Sequence, residues 1–241
     1  MRFFPAAAVL LLAGCAAMAP LPDVSGVDAL LIGEQHDATD QVSQQERWVA
    51  GLAQQGRLGA LALEMAERGT STAGLPAGAS EAQVRQALRW DGQAWPWERY
   101  RPAIMAAVRE NVPVLGANLP RAEQAAAMRD AGLDRLLTGP AMKAQQQAIR
   151  RGHCGLLPER QIQPMTRVQI ARDQAMAQTL AAAARRGKTV VLLAGAGHVE
   201  PAVGVPLHVP AQLSVRPLVL AGEATGKDYC AELREREGRA R

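Results

Sequence analysis

The sequence predicts an α/β fold: a mainly parallel sheet flanked by helices, with an inserted α-helical segment. Three observations lead there. Four apolar runs of strand length, at residues 29–32, 59–63, 112–116 and 190–194, are continuous rather than alternating, as expected of parallel strands buried on both faces. Helical periodicity follows or precedes them over 43–55, 102–111 and 170–186, so strands and helices take turns as crossover connections require. Between 119 and 186 the strand signal disappears. That stretch is rich in Ala, Gln, Arg and Met and is interrupted at Gly139-Pro140 and at 152–158, which reads as several helices capping the sheet.

In chain order, residues 1–14 read as a lipoprotein signal peptide. Arg2 supplies the positive start, residues 3–12 form an apolar stretch too short for a stable membrane span, and Leu12-Ala13-Gly14-Cys15 reads as a lipobox cut before Cys15. Acylation (palmitate) of Cys15 would anchor the protein. Ala16 stands where an aspartate would favour the inner membrane, so the expected location is the outer membrane, facing the periplasm. Residues 15–25 form the tether, 26–225 the α/β body with its helical insertion around 119–186, and 226–241 a mixed-charge tail. No later apolar run is long enough to span a bilayer. Residues 69–80, small and polar, read as a loop or lid.

Bulk properties narrow the partners. A formal net charge of +4, with basic residues scattered among acidic ones, excludes the concentrated basic face of a nucleic-acid binder. Beyond Cys15, Cys154 and Cys230 form an even pair that an oxidising compartment could join as a disulfide.

Ligand sites in open α/β sheets lie beyond the carboxyl ends of the strands. The residues there are Gly33-Glu34-Gln35-His36, then Glu64, then Ala117-Asn118 with Arg121 close behind, then Gly195-Ala196-Gly197-His198. Each alone has a structural explanation: Glu34 as a helix cap, Glu64 paired with Arg68, His36 and His198 as loop and strand-end residues. Four at equivalent topological points argue for one shared site, since charged groups at buried strand ends are costly unless they face a pocket or one another. Glu34, His36, Glu64 and His198 carry the residue types for general acid–base hydrolysis, and Glu34, His36 and His198 could hold a divalent metal with an open position.

The paired Gly-Glu-x-His and Gly-x-Gly-His motifs, with Trp97, Tyr100-Arg101-Pro102, 117–121, Gly152-His153-Cys154-Gly155 and Arg172-Asp173, resemble the ChaN-like haem-binding lipoproteins. These share a superfamily with Tiki-type metalloproteases and erythromycin esterases. The resemblance spans nearly the whole mature chain. It implies haem bound without covalent attachment, in keeping with the absence of a Cys-x-x-Cys-His motif, in a role in haem or iron uptake. It also implies a surface that can form a homodimer with two haems face to face. The family's iron-binding tyrosine lies in the helical region, and here the chain departs from the pattern, because its two tyrosines, Tyr100 and Tyr229, lie outside 119–186.

The haem-contacting candidates are therefore His153, in a Gly-bounded turn of the cap, and the strand-end set Glu34, His36, Glu64, Asn118, Arg121 and His198. Met165 is a weaker second ligand or core filler. Tyr100 reads as packing at the start of a helix opened by Pro102, and His208 as structural. Within the superfamily the same Glu and His motifs serve esterase chemistry, so a hydrolase using Glu34, His36, Glu64 and His198 stands as the alternative.

Overall fold

The computed structural model describes residues 20–222 and 226–239. The expected signal segment and Cys15 lie outside them. The elements are β1 (Ala29–Glu34), α1 (Gln41–Gln54), β2 (Leu58–Glu67), α2 (Glu81–Ala87), α3 (Trp97–Arg109), β3 (Val114–Asn118), α4 (Arg121–Arg129), α5 (Gly139–Gly152), α6 (Glu159–Ala183), β4 (Thr189–Gly195), α7 (Ala196–Val199), β5 (Val215–Val219) and α8 (Tyr229–Arg239). The strands form one sheet in the order β3-β2-β4-β1-β5, every pairing parallel.

The continuous apolar runs are explained by a core on each face. Along β1, Leu30 and Ile32 join a cluster with Trp48, Leu52 and Ile104 from α1 and α3, while Ala29 and Leu31 point the other way, against Met176 and Leu180 of α6. Every residue of β1 and β4 is buried. Each fully buried Leu or Ile contributes about 2 kcal/mol relative to an exposed one. A third, smaller cluster, including Leu119, Leu133, Ile170 and Ala175, ties α4 and α6 together. Among the described residues, no helix is long and apolar enough to cross a membrane.

Several elements depart from the sequence reading. β2 continues to Glu67, so Glu64 sits inside the strand rather than after it. The helix expected from Pro102 begins at Trp97, with the proline in its second turn, and Tyr100 is fully buried within it. A proline reads as a helix start because its missing N–H costs nothing there. A second-turn proline forfeits one ladder bond, and α6 tolerates Pro164 at the same depth.

The edge strand β5 was not anticipated. Its residues are mostly half-exposed, and Pro217 at its centre argues against a strand unless the strand lies at an edge.

The expected loop at 69–80 is laid along β3. Ser71 bridges Leu115 in antiparallel fashion, Thr72 N–H donates to the Val114 carbonyl, and Val114 N–H donates to Thr72 Oγ1 at 2.9 Å. Gly116 makes this possible, because a Cβ there would lie 2.0 Å from the Glu67 carbonyl oxygen.

Candidate functional site

The carboxyl ends of β1, β2, β3 and β4 deliver their polar residues to one cluster. Glu34, the last residue of β1, accepts hydrogen bonds on Oε1 from the Tyr100 hydroxyl (2.8 Å) and is paired there with His36 Nδ1 (2.8 Å); Gln45 of α1 donates to its Oε2. The Glu-x-His spacing puts Glu34 at the end of the strand and His36 in the turn that follows, where its imidazole returns to the Glu34 carboxylate. His36 Nε2 lies 3.7 Å from Glu64 Oε2, and its ring meets Trp95 edge-on at 4.8 Å.

Glu64 is the hub. Its Oε2 accepts the Gly195 N–H (2.7 Å), its Oε1 accepts Arg172 of α6, and His198 Nε2 stands 3.4 Å away. Asn118 ties β3 in, its amide donating to the Glu64 carbonyl oxygen while its Oδ1 accepts Arg172 Nε. A Cβ at Gly195 would lie 2.8 Å from His36 Nε2, so a side chain there would push the His36 ring out of its present position.

Burial shapes the charges. It pushes the Glu64 carboxyl upward, but His198, Arg172 and His36 outweigh it and hold the group well below the usual carboxylate range. For His198, burial pulls down, yet Glu64 on one nitrogen and Asp173 on the other (2.5 Å) raise it to about 9. The ring is therefore an imidazolium near neutral pH, both nitrogens donating. Burial pushes the Asp173 carboxyl up against the pull of His198. Burial and then the Glu34 carboxylate push the Tyr100 phenol up, so it remains a donor.

His36 is the most accessible imidazole of the cluster: its Nδ1 is paired with Glu34, its Nε2 faces Glu64, and its side chain is 39% exposed. A cleft of about 420 Å³ opens above Glu64, lined by Trp95, Asn118, Met165 and Arg172 with Arg121 at its mouth. Among the described residues, no group of three His, Cys, Asp or Glu side chains is arranged to hold a metal ion.

His153 is elsewhere. It caps the C-terminus of α5 and lines a cleft of about 800 Å³ whose walls include Ala148, Ile149, Ala196, Gly197, Val203 and Val219. Its Nδ1 lies 2.8 Å from the Ile149 carbonyl oxygen. A carbonyl only accepts, so Nδ1 carries a proton and Nε2 is the nitrogen that the neutral ring would offer to a metal. The two sites touch through Gln169, which lines this cleft and places its amide 3.2 Å from both His198 ring nitrogens.

The structure thus gathers Glu34, His36, Glu64, Asn118 and His198, leaves Arg121 exposed and paired with Asp91, and puts His153 in a separate cleft from Met165. Glu64 pairs with Arg172, while Arg68 pairs with Glu123. Sequence reasoning took Tyr100 as packing and Arg172-Asp173 only as part of the family resemblance, and it did not single out Gln45 or Gln169. Asp173 had a signal: it shares an apolar stripe with Ile170, Ala177 and Leu180, where a charge must have a buried partner. Cys154 and Cys230 are joined as a disulfide, Cα–Cα 5.4 Å across 76 residues.

Comparison with known proteins follows the same lines. The family described as "Haem-binding uptake, Tiki superfamily, ChaN" matches residues 21–209. The structure described as cofacial haem binding to ChaN of Campylobacter jejuni superposes with a TM-score of 0.66 at 23% identity, covering 85% of both chains. The type III effector HopBA1 superposes at 0.45 with 18% identity, over 83% of this chain and 79% of its own. No curated protein matches the chain.

Proposed function

The chain belongs to the ChaN family of haem-binding uptake proteins in the Tiki superfamily, and on that basis we propose that it binds haem non-covalently in the cleft beside His153. The observation that carries this reading is the cleft itself. Its volume of about 800 Å³ lies in the range of small-molecule sites, its walls are largely apolar, and its imidazole has Nε2 free for iron. Arg151 at the same cleft suits the carboxylates of a porphyrin. When bound, haem supplies an iron that accepts a nitrogen donor. The protein's part is to hold the imidazole by the Ile149 carbonyl, keep the cleft walls apolar, and seat Gln169 against the His198 cluster.

The same proposal takes the lipobox at face value: acylated Cys15 would fix the protein to the outer membrane facing the periplasm, where imported haem passes. A homodimer in which two open clefts face one another fits the cofacial haem binding of the Campylobacter protein.

The test is a haem titration of the full-length protein, read by the Soret band, with metal content measured on the same sample. Saturable binding at a defined ratio is expected, weakened about tenfold or more in His153→Ala, as loss of a metal-site group does. Absence of saturable haem binding, with a stoichiometric divalent metal lost in His36→Ala, would overturn the reading in favour of hydrolytic chemistry.

A further inference from the structure

The two ends of the sheet differ in character. The carboxyl ends hold the buried cluster and, through Ala196, Gly197 and Val219, a wall of the His153 cleft. The amino ends carry basic residues that neither site uses. Arg57 precedes β2, Arg185, Arg186 and Lys188 precede β4, and Arg216 is the second residue of β5. They are scattered in the sequence, and the parallel register collects them: Leu58 pairs with Thr189, and Ala29 with both Val190 and Val215. Arg57 and Lys188 line one small cleft, and Arg185 bridges Lys188 across the turn between them.

Arg57 is half-buried and the other four are exposed. Their neighbours of opposite sign are Asp23 and Asp28, the latter accepting the Ser214 N–H at 2.9 Å; Arg109 and Glu110, where α3 ends, offset each other. Among the described residues, none of the five cations stands in an ion pair, whereas Arg121, Arg150, Arg167 and Arg172 around the helical cap all do. Lys188 and Arg216 donate instead to neutral oxygens, the Gly56 and Asp23 carbonyls. The tether begins within reach. The Trp48 indole donates to the Pro20 carbonyl at 2.9 Å, about 9 Å from the end of α1 that leads to Arg57. From Pro20 back to Cys15 the chain spans at most about 18 Å.

We propose that the amino ends of the sheet dock on a membrane containing anionic phospholipid, with Arg57, Arg185, Arg186, Lys188 and Arg216 seated on lipid phosphates. This rests on the lipid anchor of the proposed function and is independent of haem. Guanidinium and ammonium groups without a carboxylate partner bind phosphate oxygens well, and a basic surface is drawn to an anionic bilayer with a strength that salt screens. Docking sets the orientation of the molecule. The seven residues of β4 span about 20 Å from this surface to Gly195, so the His153 cleft stands clear of the lipid and opens to the aqueous side.

The experiment places the full-length protein, purified from membranes, on vesicles of phosphatidylcholine alone or mixed with phosphatidylglycerol. A water-soluble acetylating reagent labels lysines, and mass spectrometry reads Lys188 against exposed Lys143 of α5, together with the acyl group on Cys15. Lys188 should be labelled at least about fivefold more slowly on the phosphatidylglycerol vesicles, with Lys143 labelled equally on both. The protection should vanish at about 1 M salt, where charges act over only about 3 Å. Arg185→Glu combined with Arg186→Glu should also abolish it, with an unchanged far-UV circular dichroism spectrum. Equal labelling of Lys188 on both vesicles, with Cys15 acylated, would overturn the docking surface and leave the anchor standing. Protection of Lys143 in place of Lys188 would put the cap on the membrane and overturn it as well. A chain that lacks the acyl group and floats with neither vesicle would overturn the anchor and the docking surface together.

Discussion

The strand-end cluster and the His153 cleft sit side by side, joined by Gln169, but they are built on opposite principles. In the cluster, Glu64, Glu34, Asp173 and His198 are almost fully buried and spend their hydrogen-bonding capacity on protein partners: Glu34 on Tyr100, His36 and Gln45, Glu64 on Gly195, Arg172 and His198, and Asp173 on His198. In the cleft, mostly apolar walls, with Gln145, Arg151, Gln169 and Glu200 among them, surround a single imidazole whose Nδ1 faces the Ile149 carbonyl. Charged groups in a low-dielectric interior stabilise only while every partner is present. A mostly apolar cleft whose imidazole turns one nitrogen away from its backbone partner has little to lose until a ligand arrives. The first arrangement fixes structure; the second has capacity to bind.

The difference breaks most visibly at Glu64. Glu64→Ala should remove the carboxylate shared by half-buried Arg172 and buried His198, leaving Asn118 and Asp173 as their remaining partners, and cost about 4 kcal/mol by urea denaturation; a loss below about 1 kcal/mol would show that the network is not the brace described. Titration gives the next effect. His198 is raised to about 9 in the folded state, so its contribution is fully present below its ordinary value of 6.5 and is lost as pH rises through about 9. The loss is at most about 3 kcal/mol, readable as a falling urea midpoint between neutral and pH about 10. Glu64, held low, acts with the opposite sign: its contribution is present above 4.5 and lost as pH falls below it. Tyr100→Phe should cost about 2 kcal/mol, because the Glu34 carboxylate loses a donor. Smallest of all, His153→Ala should shift the midpoint by less than about 0.5 kcal/mol while weakening haem binding. Comparable destabilisation by His153→Ala and Tyr100→Phe would erase the contrast.

The sequence disclosed the two regions unequally. The strand ends were legible because a parallel strand buried on both faces leaves few places for Glu34, Glu64 and His198 to occur without a purpose. Their partners were not. Tyr100, Arg172 and Asp173 come from α3 and α6, and only the crossover geometry shows that these helices lie over the same strand ends. Composition hid them too, since Pro102 drew the helix start past Tyr100. The tautomer of His153 depends on one carbonyl four residues back, which becomes a partner only once α5 ends where it does. β5 was obscured by Pro217, a residue tolerated there by its place at the sheet margin.

That proline has a counterpart at the other margin, where residues 70–72 lie along β3. Open sheet edges are templates for intermolecular pairing, and one edge here is covered while the other contains a residue without an N–H. If the proposed acyl anchor holds the chain at a membrane, its copies would be crowded there. Such a sheet resists extension into a cross-β aggregate, so that close packing of copies need not end in pairing edge to edge.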